Sequence, residues 1–331
     1  MKKKRIIVLI GSLLLILGVV GVVYFFTRDF SAGESSTPPK TESELLEEKG
    51  VVLVNAENFV TNANSLLQKG YSADEVNQIY EYMSEANIES ILASDYVDLS
   101  EFYMISNFEF AKIERYQAYQ ELKQIEMKDA VTQVNLNLDE PFYQTIETIE
   151  DPSSVTVLVN KSHALPSDYV PDDLVSIPSY PNLLIKEEAA TPFENLLAAA
   201  KLDNITLIPY STYRSYAKQE SIYNRYLNQD PKEVVDTYSA RPGHSEHQTG
   251  LALDIRSTTL SDRLTDSDYA WVLDNSYKYG FIVRYPKDNS TITGYQEEPW
   301  HLRYIGVEHA TKVHELGITY DEYYDLYLMN R

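Results

Sequence analysis

Apolar positions recur along this chain with two different periods. Between residues 42 and 150 the spacing is mostly helical. Ser72 and Glu75 form a capping-box signature, and Val76, Ile79, Tyr80 and Met83 share a face of the helix it opens. Ile113, Tyr116, Leu122 and Ile125 predict a second, longer helix. Val134, Leu136 and Leu138 alternate with Asn135, Asn137 and Asp139, which predicts a short strand. Beyond residue 150 the pattern mixes. Residues 155–160 predict a strand, followed by a proline-rich loop to Pro181. Thr191, Pro192 and Glu194 read as N-cap, first-turn proline and capping-box glutamate of a helix carrying Leu196, Leu197 and Ala200. Residues 205–213 predict a strand that ends at Arg214, then a helix with Gln219, Ile222 and Tyr226. Residues 268–279 predict a helix stopped by Gly280, and residues 281–285 and 301–305 predict further strands. Short strands mixed with helices, without regular βαβ alternation, predict an α+β fold.

The N-terminus has a different pattern. Lys2, Lys3, Lys4 and Arg5 precede an uncharged apolar run over residues 6–26. A run of that length spans the roughly 30 Å hydrocarbon core as a helix. It exceeds the apolar region of about 7–15 residues found in a cleaved signal, and no small-x-small site follows Phe26. The expectation is a single-pass transmembrane helix that ties the chain to the membrane, N-terminus cytoplasmic, with everything after Arg28 extracytoplasmic. The expected organisation is 1–28 as cytoplasmic tip and anchor, 29–41 as a Ser-, Gly- and Pro-rich flexible linker, 42–150 as a mostly helical domain and 151–331 as the domain carrying the chemistry.

Charge and cysteine count narrow the function classes. The chain carries 28 Lys and Arg against 50 Asp and Glu, and four of the basic residues sit at positions 2–5. So acidic an exported part argues against nucleic acid or anionic lipid as its partner. Cysteine is absent, so any metal must be held by His and carboxylate side chains.

The candidate chemistry centres on residues 245–254. If residues 250–255 form a strand, Leu251, Leu253 and Ile255 face a core while Gly250, Ala252 and Asp254 face the other side. Two small residues beside a carboxylate leave room for a metal and a substrate. His247 with Asp254 suits zinc (Zn2+), which in catalytic sites takes three protein ligands and a water. His301 offers the third ligand. Glu298, three residues earlier, is the candidate general base, provided the strand bends at Pro299 and Trp300 to turn both side chains to one side. The plainer reading of Asp254 is a turn or cap carboxylate. His244 reads as a cleft or turn residue, and His163, His309 and His314 as surface or packing residues.

The ordered motifs carry a family resemblance. They are Val159-Asn160-Lys161, Leu165-Pro166, Tyr169-Val170-Pro171, Asp173-Leu174-Val175 and Tyr213-Arg214-Ser215-Tyr216 with Gln219. Arg241-Pro242-Gly243, residues 245–254, Tyr279-Gly280-Phe281, Arg284-Tyr285-Pro286 and Glu298-Pro299-Trp300-His301 follow. The sequence resembles the zinc-dependent D-alanyl-D-alanine carboxypeptidases of the VanY type, with the LdcB-type L,D-carboxypeptidases as close relatives. The resemblance covers roughly half the chain, from about Val155 to Gly306; Thr212 and His244 are small departures. It implies a Hedgehog/DD-peptidase-like zinc peptidase domain acting on peptidoglycan stem peptides. It gives Arg214 the role of oxyanion or substrate-carboxylate partner, and Gln219 and Ser245 a place at the same substrate end. It leaves open whether the scissile bond is D,D or L,D. A non-catalytic cell-wall-binding module on the same fold is the reading from another class.

Overall fold

The computed structural model describes residues 39–259 and 263–329. Two small sheets precede the main one. β1 (Glu147–Thr148) pairs in parallel with β2 (His163–Ala164), and β3 (Leu174–Ile177) pairs antiparallel with β4 (Tyr180–Lys186). The main sheet has four antiparallel strands: β5 (Leu207–Ser211), β6 (Ala252–Ser257), β7 (Phe281–Tyr285) and β8 (Glu298–Tyr304), in the order β5-β6-β8-β7.

The two faces of this sheet differ sharply. Leu253 and Ile255 of β6, Phe281 of β7 and Leu302 of β8 are fully buried against Ala189, Phe193, Leu196 and Ala200 of the Glu187–Leu202 helix. Each such side chain contributes about 1.5–3 kcal/mol through burial. On these strands the alternate positions are Asp254, His301, Arg303 and Arg284, all buried as well. A sheet face that buries charge instead of aliphatic side chains must supply partners for every one of them. That face carries the site.

The register places the chemistry. Asp254 on β6 lies directly opposite His301 on β8. Along β7 and β8 the pairing slips: Val283 faces Leu302, yet Tyr285 faces Glu298. The irregularity falls at Pro299 and Trp300, where a bend was expected, and both Glu298 and His301 reach the same cleft.

Several local expectations are corrected. Residues 134–138 are not a strand: Met127, Ala130, Val131 and Val134 are buried at helical spacing, and the Met127–Asn135 helix follows that longer pattern. Residues 155–160 form no strand; the neighbouring pairing is made by β1 and β2. The helix with Pro192 begins at Glu187, so Pro192 lies inside it, and the Glu194 carboxylate accepts hydrogen bonds from Ser179 instead of capping. Gly250 precedes β6 in a left-handed turn, φ 71°, where an added Cβ would meet Leu174 Cδ2 at 2.8 Å. Its small size serves that turn and close approach, not an opening beside Asp254. The Ser72–Glu75 capping box and the Gly280 stop are present.

The transmembrane part of the expected fold class is corrected. Among the described residues no helix is long and apolar enough to cross a membrane. Even the 16-residue Glu187–Leu202 helix extends only about 24 Å and carries charge along its length. The run over residues 6–26 lies outside the described residues.

Contacts divide the chain into the units Met1–Leu53 and Val54–Arg331. In the first, Thr41 and Glu44 cap the Glu42–Glu48 helix reciprocally. Within the second, turn residues before 150 bond directly to later ones: Asn107 donates to Asp325 at 2.6 Å, and the Tyr143 and Tyr295 hydroxyls meet at 3.0 Å.

Candidate metal centre and active-site cleft

The 3₁₀ turn Glu246–Thr249 delivers His247 to the polar face of the sheet just before β6. The His247 ring donates from Nδ1 to the Thr212 carbonyl at 2.7 Å. A carbonyl only accepts, so that nitrogen carries the proton and Nε2 keeps its lone pair. Nε2 lies 3.3 Å from Asp254 Oδ2. The other Asp254 oxygen lies 3.2 Å from His301 Nδ1. The two imidazoles stand perpendicular, centroids 4.9 Å apart, around the carboxylate. One donor atom from each of His247, Asp254 and His301 lies within 4.8 Å of the others, and all three residues are buried.

Electrostatics match this arrangement. Burial, with Arg214 nearby, lowers the His247 pKa and keeps the ring neutral. Burial alone would raise the Asp254 pKa, but His247 and His301 hold it well below the carboxylate range. Burial opposes charge on His301 too, yet its hydrogen bonds to Asp254 and Glu246 outweigh that and push the pKa up to about 9. A divalent cation at this centre displaces that proton, because a ligating imidazole must offer a lone pair. The Glu298 carboxyl is raised to about 7 by burial, opposed by His301. Glu298 Oε2 stands 3.8 Å from His301 Nδ1.

A cleft of about 580 Å³ opens over these groups, and Arg214, Gln219, Ser245, Glu298 and Trp300 line it with them. The Arg214 guanidinium donates to Gln219 Oε1 at 2.7 Å and Ser211 Oγ at 2.9 Å, and lies 3.7 Å from Asp254 Oδ2. Gln219 is buried and donates in turn to the Ala240 carbonyl. It aims the arginine across the cleft. Ser245 is buried at the start of the 3₁₀ turn and makes no capping hydrogen bond there. His244 donates from Nδ1 to the Asn160 carbonyl at 2.8 Å and packs edge-on against Tyr143.

Sequence reasoning gave no role to Glu246, Arg284 or Arg303. Glu246 is fully buried and accepts from Arg284 Nε at 2.8 Å and Arg303 at 3.0 Å. These charges hold its carboxyl well below the usual range against the cost of burial. The signal was present: Phe281-Ile282-Val283-Arg284-Tyr285 and His301-Leu302-Arg303-Tyr304 each place one arginine among apolar strand residues. A charge there demands a buried partner.

Known proteins share this arrangement of sequence. Residues 182–307 match the family model for VanY, D-alanyl-D-alanine carboxypeptidase. The chain is 41% identical over 193 residues to YodJ of Bacillus subtilis (strain 168), covering 54% of this chain and 70% of that protein. It is 36% identical over 177 residues to a D-alanyl-D-alanine carboxypeptidase of Enterococcus faecalis (strain ATCC 700802 / V583), covering 50% of this chain and 64% of that protein. The solved structure of the LdcB LD-carboxypeptidase superposes with a TM-score of 0.51 at 39% identity, covering 55% of this chain and 90% of that one. With the ligand types, their spacing and their shared cleft in place, these similarities show that the chain belongs to the VanY-type carboxypeptidase family, with the LdcB type as its relatives.

Proposed function

We propose that this chain is a zinc-dependent D-alanyl-D-alanine carboxypeptidase that removes the C-terminal D-alanine of peptidoglycan stem peptides outside the cytoplasm. The observation that carries the reading is the convergence of His247 Nε2, the Asp254 carboxylate and His301 Nδ1 beside Glu298 and Arg214 in one cleft. The Enterococcus faecalis relative is the source of the D-Ala-D-Ala assignment.

The donor set fits zinc. Two imidazole nitrogens and a carboxylate are its ligand types in catalytic sites. The N···O separations of 3.2 and 3.3 Å are close to the edge of a tetrahedron whose bonds are roughly 2.0–2.1 Å. Each ring's second nitrogen is already engaged, by the Thr212 carbonyl and by Glu246. When bound, zinc supplies Lewis acidity that makes water more acidic and polarises a carbonyl.

The chain's own side chains do the rest. Glu298, with a carboxyl near neutrality, accepts the proton of the attacking water and delivers it to the departing amine nitrogen. Arg214, aimed by Gln219 and Ser211, meets the negative charge that develops on the carbonyl oxygen. Ser245 lines the same cleft, which supports giving it a substrate contact.

A second reading is L,D-carboxypeptidase activity on tetrapeptide stems, favoured by the similarity to LdcB. One experiment separates the two. The zinc-loaded protein is incubated with defined tetra- and pentapeptides, and the products are weighed by mass spectrometry. Loss of one alanine from the pentapeptide alone supports the D,D reading, and loss from the tetrapeptide alone supports the L,D reading. No hydrolysis of either by zinc-loaded protein would overturn both and leave the wall-binding module.

A further inference from the structure

His247 and His301 offer different ring nitrogens to the centre, and different partners fix them. His247 gives its Nδ1 proton to a backbone carbonyl, which any residue at position 212 supplies. His301 turns its Nε2 toward a side chain, the Glu246 carboxylate, at 3.3 Å.

Glu246 is built to stay where it is. It lies next to His247 on the 3₁₀ turn and is fully buried. Its Oε1 accepts from both Arg284 and Arg303. Arg303 also donates to the carbonyls of Val155 and Val157, at 2.9 and 2.7 Å. Arg284 donates to Asp321 at 2.6 Å, and the second Asp321 oxygen accepts from Asn160 at 2.9 Å. If Glu246 were only a counter-charge for the arginines, either oxygen could have faced them. Instead Oε2 is directed at the one His301 nitrogen that points away from Asp254.

We propose that Glu246 is a positioning residue for the metal centre: it holds His301 as the Nε2–H tautomer, so that Nδ1 presents its lone pair beside Asp254 and His247. Both ring nitrogens face a carboxylate, Nδ1 that of Asp254 and Nε2 that of Glu246. Once a cation takes the Nδ1 lone pair, Glu246, which accepts and cannot donate, keeps the proton on Nε2, and its charge makes the ring a more basic ligand than a carbonyl partner would. The inference rests on the reading that His247, Asp254 and His301 hold zinc. It makes the two histidines unequal, His301 depending on a side chain and His247 on the backbone.

The test compares the full chain with its Glu246→Gln, Glu246→Asp and Asp321→Asn variants. Zinc affinity is read by competition with a chromophoric chelator, cobalt(II) substitution by visible absorption, and stability by thermal unfolding. Loss of such an outer partner typically lowers metal affinity 10–100-fold. Both Glu246 variants are expected to fall in that range and to shift the cobalt spectrum. Glu246→Asp keeps the charge between the arginines but is one methylene too short to reach them and His301 together. It is read alone if Glu246→Gln does not fold. Asp321→Asn weakens the same arginine network without touching His301, so it should lower the melting temperature and leave zinc affinity within twofold. Zinc affinity and cobalt spectrum unchanged in Glu246→Asp would overturn the proposal. Wild-type protein that binds no zinc would instead overturn the metal reading beneath it.

Discussion

Replacing Arg214 by alanine should damage turnover far more than it damages the fold, and both sizes follow from its contacts. The guanidinium makes two side-chain hydrogen bonds, to Gln219 Oε1 and Ser211 Oγ, and lines the cleft beside Asp254. Removing it leaves the buried Gln219 oxygen without its charged donor. An orphaned buried acceptor costs about 1–3 kcal/mol, which in a unit of this size lowers the melting temperature by a few degrees. The chemical cost is separate. Loss of one donor to a developing oxyanion typically costs about 10²–10³ in turnover, or roughly 2.7–4 kcal/mol. Arg214→Lys should recover little of this, because an ammonium is a point charge and cannot satisfy Gln219 and Ser211 while facing the substrate. The assay is release of D-alanine from a pentapeptide by zinc-loaded protein, with kcat and KM determined separately. A fall in kcat at similar KM is the expected result. A rise in KM with kcat preserved would show that Arg214 grips the substrate carboxylate. Unchanged constants in both variants would refute any role for Arg214 beyond holding Gln219.

Three further outcomes can be measured directly. Glu298→Gln should lower turnover about 10²–10⁴-fold while zinc content by atomic absorption stays at the wild-type level; loss of zinc would make Glu298 a ligand instead. His247→Ala should lose zinc and activity together, and chelation of the wild type should lower its melting temperature by removing a ligand bound only to the folded state; a chelated protein of full activity would rule out the metal reading. Lys161 has its pKa lowered to about 8 by burial, so the unfolded chain binds more protons between that value and the ordinary 10.5. The lysine's contribution to stability is therefore complete above pH 10.5 and is lost as pH falls toward 8. In urea unfolding, wild type should gain on Lys161→Met as pH rises from 8 to 10.5, and a constant difference would contradict the assignment.

The sequence made the site more legible than the scaffold that holds it. His247, Asp254, His301 and Glu298 are residue types that rarely enter a protein interior without purpose, and their short motifs constrain what they can do. Even the need for a bend between Glu298 and His301 followed from strand periodicity, and the register slip between β7 and β8 falls there. The outer partners were not legible in the same way. Glu246, Arg284 and Arg303 meet only because one turn and two strands share a face, and no local spacing encodes that meeting. Local patterns also failed where two of them overlapped. The three-residue alternation at 134–138 lost to the longer helical set Met127, Ala130, Val131 and Val134. Gly250 looked like open space beside a ligand, and its reason is a positive φ against Leu174.

The remaining question about the cleft is why an arginine so near Asp254 does not quench it. At 3.7 Å the Arg214–Asp254 contact is longer than a hydrogen bond, although a bidentate pair would be the stronger interaction in isolation. Gln219 and Ser211 hold the guanidinium back, and Gln219 is itself fixed by the Ala240 carbonyl. Both Asp254 oxygens are thereby kept for the two histidines, one each. Gln219 then acts on the candidate metal site without touching it. In Gln219→Ala the freed guanidinium can close on Asp254 and compete with a cation for the carboxylate. Zinc affinity should fall by about tenfold, the equivalent of roughly 1.4 kcal/mol, and Gln219→Glu should retain it, since a carboxylate accepts from Arg214 and keeps it away from Asp254. Arg214→Ala combined with Gln219→Ala removes the competitor and should return zinc affinity to the level of Arg214→Ala alone. Equal zinc affinity in wild type and Gln219→Ala would mean that the arginine stays back for another reason, and Gln219 would then be a substrate contact alone.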